Sequence, residues 1–234
     1  MSRIVWRVTR KENSFKFTSK KYVSWNGRFD DPEEQYRVLY CAKKPETSFR
    51  EAFQDLRPDF KALNDYVCEM EKFGVSKEES LKEYPSKFSH KMLSNLILLR
   101  SEIISNKKFY NIESYRNIVR MNHEYFECGF ITTATLRGDY PKNREITQHL
   151  SKKIFLQDFA GITYKSKIDG NDCIALFEKR ASLNGKNSFI SFLSEGCREM
   201  QKVFKEYKLP GFSSQLSVKK LDYYNSLRQK VFNN

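Results

Sequence analysis

Three observations predict an α+β fold with a mixed β core and a helical insertion. Short segments of strand character lie near both ends of the chain, "RIVWRVTR" and "YRVLYCA" early, "GITYKS" and "DCIALFE" late. A long middle block places apolar residues at helical spacing. Strands and helices do not alternate regularly, which argues against a doubly wound sheet.

Taken in order, "RIVWRVTR" alternates and predicts a first strand. "SKKYVSWNGRFDDPEEQ" is polar with a glycine and a proline and predicts a loop. "YRVLYCA" predicts a mostly apolar, central strand, and "KKPETSFREAFQDL" a turn into a helix capped by Thr47, with Arg50 and Glu51 in its first turn. From Pro58 to Tyr125, "FKALNDYVCEMEKFG" and "FSHKMLSNLILLRSEII" predict a helical block beside the core, a candidate partner surface. Strand character returns in "CGFITTATLRG". A helix is expected from near Asn143, burying Ile146, Leu150, Ile154 and Phe155 and stopped by Gly161. Two strands flank the polar turn "KIDGN", and a last helix runs near Glu195 to Tyr207 before a polar tail. The organisation expected is a core of residues 1–57 and 126–180, an insertion of 58–125, and a C-terminal helical extension of 181–234 packed on the core.

The 234 residues suffice for one large domain, and 39% hydrophobic with 30% charged residues is the composition of a soluble globular chain. No apolar run reaches the length of a membrane span, and the N-terminus lacks a secretory core, so a cytoplasmic protein without membrane contact is expected. Cys41, Cys68, Cys128, Cys173 and Cys197 are odd in number and widely spaced, which speaks against disulfides and against zinc. The net charge of +13 favours anionic partners, whether nucleic acid, acidic protein or phosphorylated small molecule.

The sequence holds neither GxxxxGK[ST] nor GxGxxG, and no GxSxG elbow. His90, His123 and His149 are too scattered for a metal, so no metal and no bound cofactor is expected. Zinc-finger and RNA-recognition signatures are missing, so specific nucleic-acid binding is not expected.

What remains is an ordered set: "WNGRF", "VLYCAKKPETSFREAF", "DYPKNREITQHLSKKIFLQDFAGITYKS" and "CIALFE". It resembles the RES domain family over roughly residues 1–57 and 126–180. The resemblance implies an ADP-ribosyltransferase-like fold and consumption of NAD. It implies the toxin of a toxin–antitoxin pair, neutralised by a DNA-binding antitoxin protein that blocks the active site. The reaction implied is cleavage of the nicotinamide–ribose bond by phosphorolysis or hydrolysis, with inorganic phosphate as co-substrate in the first case, or protein mono-ADP-ribosylation. The same resemblance assigns the functional arginine to Arg28, the tyrosine to Tyr40, the glutamate to Glu51 and the serine to Ser166, with Arg7 as a further phosphate contact.

The chemistry of these residue types agrees. A guanidinium grips a pyrophosphate through two parallel hydrogen bonds. A carboxylate beside the anomeric carbon stabilises the oxocarbenium-like cation formed as nicotinamide leaves. Tyr40 is suited to stacking on nicotinamide or bonding a ribose hydroxyl, and Ser166 to holding the amide or a phosphate. Each residue also has an ordinary reading: Arg28 paired with Asp30 or Asp31, Tyr40 in the core, Glu51 on a helix dipole, Ser166 in a turn. The rival function from another class is a basic, non-catalytic nucleic-acid-binding protein. A homo-oligomer is compatible with a helical block, which can supply an interface.

Overall fold

The structure is a computed structural model that describes residues 4–54, 60–77, 79–80, 96–124, 130–138, 140–186, 188–192 and 198–206. Strands β1 (Ile4–Arg10) and β2 (Val38–Ala42) form where alternation and β-branched residues predict them. Helix α1 (Pro45–Ala52) follows, then α2 (Phe60–Lys72), β3 (Leu96–Ile104) and β4 (Phe109–Asn111). Three helices come next, α3 (Tyr115–Glu124), α4 (Thr133–Arg137) and α5 (Pro141–Leu156). Strands β5 (Gly161–Lys165), β6 (Asp172–Phe177), β7 (Ser182–Leu183) and β8 (Phe189–Phe192) precede helix α6 (Arg198–Glu206).

The strands make one eight-stranded sheet in the order β4-β5-β6-β2-β1-β3-β7, with β8 also paired to β3. Only β4 and β5 run parallel; the other pairs are antiparallel. The expected α+β class with a mixed sheet is what the chain adopts, and β2 lies in the middle as its apolar residues predict. Alternation feeds a core on each face. Ala42, Cys173, Ala175 and Phe177 meet α5 through Leu150 and Ile154 and α3 through Met121. On the other face Leu39, Cys41, Ile174 and Leu176 meet Val5, Leu99 and Ile103.

Several expectations are corrected. "LILLRSEII" is not helical: it is the nine-residue strand β3, paired with β1 over seven registers. Ile97, Leu98 and Leu99 are all buried, and a strand covered on both faces has the same unbroken apolar run as a buried helix. The block of 58–125 therefore contributes to the sheet, while α2, α3 and the short helical stretch at 77 and 79–80 keep the expected helical character. Likewise "TATLR" is helix α4, because Thr132 and Thr135 form a reciprocal capping box that outweighs their strand propensity.

Helix α1 starts at Pro45 rather than beyond Thr47, so Arg50 and Glu51 sit in its last turn. Helix α5 begins at Pro141 and ends at Leu156, where Asp158, at φ 65°, takes the left-handed turn assigned to Gly161. Gly161 instead opens β5, where a Cβ would stand 2.1 Å from the Ala175 carbonyl oxygen. The C-terminal extension is not purely helical, since it begins with β7 and β8 before α6. Its polar tail lies outside the described residues, as do Cys128, Cys197 and His90.

Among the described residues no helix is long and apolar enough to cross a membrane.

Candidate active site

The sheet opens between its central strands. β2 pairs with β6 over five registers, yet it meets β1 at one, Trp6 opposite Ala42. Beyond that rung the strands diverge, and a cleft of about 480 Å³ fills the gap. Trp6, Arg7, Arg28, Tyr40, Glu51 and Tyr164 are among the residues that line it. Four of the five residues singled out by the resemblance, Arg7, Arg28, Tyr40 and Glu51, are thus brought together.

The loop before β2 delivers Arg28. Tyr40, on the cleft face of β2, accepts the Phe29 N–H at its hydroxyl and donates to Asp30 Oδ1, both at 2.9 Å. Asp30 Oδ2 accepts the Gly27 N–H at 2.7 Å. From α5, Gln148 Nε2 donates to the carbonyls of Trp25 and Gly27 at 3.0 Å, and Ser151 Oγ donates to that of Phe29 at 2.7 Å. Gly27 is required because a Cβ there would lie 2.5 Å from the Tyr40 hydroxyl and 2.7 Å from Asp30 Oδ2. Burial pushes the Asp30 carboxyl up, opposed by the bonds from Gly27 and Tyr40. Burial, then Asp30, pushes the Tyr40 phenol well up.

Arg28 is not paired with Asp30 or Asp31 among the described residues. Asp31 is occupied by the backbone N–H groups of Glu33, Gln35 and Tyr36. Arg28 Nη1 donates to the Leu136 carbonyl at 3.0 Å, and its guanidinium lies 4.9 Å from the Tyr164 ring centroid. Neither contact neutralises its charge.

Helix α1 presents Ser48, Glu51 and Ala52 to the cleft at the i, i+3, i+4 spacing of one helix face. Glu51 Oε1 is buried, with no hydrogen-bond donor among the described residues; Gln54 Oε1, also from a cleft-lining residue, is in the same state. A buried oxygen without a donor is costly, so such atoms in a cleft are positions where a water or a ligand can complete the bonding. Glu51 and Arg28 both act on Tyr164: burial raises this phenol, the Glu51 carboxylate adds to the rise, and the Arg28 charge opposes it.

Arg7 enters the cleft from β1, where its Nη1 donates to the Lys16 carbonyl at 3.5 Å, and burial lowers its pKa. Arg144, in the first turns of α5, lines the same cleft. Arg7, Arg28 and Arg144 therefore converge without a carboxylate partner among the described residues. By contrast Arg37, at the rim, is clamped to Glu178. Sequence reasoning missed Arg144, although it lies within the quoted "YPKNRE" helix start, and missed Asp30 and Gln148, whose roles depend on contacts across the fold.

Ser166 is not among the residues that line the cleft. It is fully buried, and its hydroxyl accepts the N–H groups of Ile168 at 3.1 Å and Asp169 at 3.4 Å. It organises the turn whose Lys167 reaches the cleft wall. Among the described residues there is no cluster of side chains suited to a metal.

A search of the curated proteins returned no match. Among solved structures, the chain is similar to one in a structure described as the M. tuberculosis MbcT–MbcA toxin–antitoxin complex. The identity is 11%, coverage is 82% of this chain and 85% of that chain, and the TM-score is 0.48. The family model of the RES domain matches residues 4–101, from β1 into β3. That span takes in the segment 58–101 that the resemblance left out, and leaves out the segment 126–180 that it included. Arg7, Arg28, Tyr40 and Glu51 fall inside the match and Ser166 outside it, so over this part of its length the chain is similar to the RES domain.

Proposed function

We propose that the cleft binds NAD and that the protein cleaves its nicotinamide–ribose bond, as the toxin of a toxin–antitoxin pair. The observation that carries the reading is the meeting of acid-free guanidinium groups with the donor-free Glu51 carboxylate oxygen in one cleft. The RES domain match supports the same class of substrate. In this reading Arg28 and Arg7 take the pyrophosphate, since a guanidinium fork matches phosphate oxygens. Glu51 faces the anomeric carbon and stabilises the cation as the bond lengthens. Tyr164 and Tyr40 wall the site and keep Arg28 in place. The antitoxin is a protein that covers this cleft, and the fold reading that goes with the proposal is ADP-ribosyltransferase-like.

Incubation of the purified protein with NAD, with and without inorganic phosphate and with a protein acceptor, tests this. Release of nicotinamide is expected. A phosphorylated ADP-ribose product, free ADP-ribose or labelled protein would assign the acceptor as phosphate, water or side chain. Intact NAD in all three mixtures refutes the reading.

A further inference from the structure

We infer that Asp169 is a positioning residue for the Glu51 carboxylate, and that Ser166 acts through it rather than by touching substrate. The inference rests on the reading of Glu51 given above. Helix α1 has a second working face. Thr47 and Arg50, three residues apart, both reach Asp169 Oδ2 at 2.8 Å, while Ser48 and Glu51 turn to the cleft. Thr47 is fully buried, and the Arg50 and Asp169 side chains are 15% and 12% exposed, so these bonds work with little competition from water.

Asp169 is itself held in one orientation. Its Oδ1 accepts the Asn171 N–H at 3.1 Å. Ser166 bonds the amides of Ile168 and Asp169 through its hydroxyl, and its carbonyl accepts the Gly170 N–H at 3.0 Å. Gly170, at φ 69°, closes the turn in a conformation that favours glycine. On the outer side Arg50 forks onto both Glu206 oxygens at 2.7–3.2 Å, bringing in the end of α6. The helix is therefore fastened at the residue immediately before Glu51, by groups from the β5–β6 turn and from α6, both outside the family match. A carboxylate that must face a developing cation needs its helix fixed, because a displacement of about 1 Å costs on the order of 10²-fold in rate.

The test compares wild type, Asp169→Asn, Thr47→Val, Glu51→Gln and the double variant Asp169→Asn/Glu51→Gln. For each, kcat and KM for NAD are measured beside amide hydrogen exchange of α1. Asp169→Asn and Thr47→Val are expected to lower kcat about ten-fold with KM for NAD little changed, and to speed exchange in α1. In the Glu51→Gln background Asp169→Asn should cost nothing further, because the group it positions is gone. Full kcat in folded Asp169→Asn and Thr47→Val, or an added loss in the double variant, overturns the inference. If Asp169→Asn does not fold, Thr47→Val decides alone. If wild type leaves NAD intact the functional reading falls by itself, and unchanged α1 exchange in the variants would still overturn the positioning role.

Discussion

Tyr40 donates its phenol proton to Asp30 Oδ1 at 2.9 Å, and the bond fastens the loop that carries Arg28. Tyr40→Phe should leave the Phe29 N–H and Asp30 Oδ1 short of a partner, at a cost of about 1–3 kcal/mol. A thermal melt should register this as a drop of roughly 2–4 °C per kcal/mol. NAD turnover should show a raised KM, because Arg28 is less well held. A variant with the parent's melting point and KM would refute both roles.

Glu51→Gln should cut NAD cleavage on the order of 10²-fold or more. It should leave the melting point unchanged or higher, since the carboxylate oxygen it replaces lacks a donor. Loss of stability together with full activity would show Glu51 to be structural.

Arg28→Lys should not be conservative. Lysine keeps the charge but loses the fork and the contact with Leu136, so KM for NAD should rise, and more so in Arg28→Ala. Steady-state kinetics on the three proteins decide; identical values would remove Arg28 from the site.

Acid should reveal the Asp169 anchor. Burial works to raise this carboxyl, but hydrogen bonds from Asn171, Thr47 and Arg50 outweigh it and hold the pKa down to about 2. A depressed carboxylate contributes stability above its unfolded value of about 4 and loses it as pH falls through the folded value. Urea unfolding of wild type should therefore weaken between about pH 4 and about pH 2 more than that of Asp169→Asn. Parallel losses in the two proteins would contradict the assignment.

Much of the fold was legible wherever the local signal had one meaning. β1, β2, β5 and β6 alternate or are short and apolar, and α5 shows its buried Leu150 and Ile154 at helical spacing. β3 was not legible, because an apolar run buried on both faces carries no period. Nor was α4, whose threonines read as strand until each caps the other. In the site, Arg28, Tyr40 and Glu51 stood in recognisable local patterns. Arg144, Asp169 and Gln148 act across gaps of more than a hundred residues or through a lining that only the folded sheet creates, and no local pattern announces that.

Those long gaps have a consequence for synthesis on the ribosome. Arg28 and Glu51 emerge early, but the loop around Arg28 is tied to Leu136, Gln148 and Ser151, each more than a hundred residues later. Strand β6, which flanks β2 over its whole length, comes later still. Contacts so distant in sequence close last, once the intervening chain is available. A half-translated chain thus holds Arg28 and Glu51 without the walls, and whatever chemistry the cleft performs begins only when translation has passed β6.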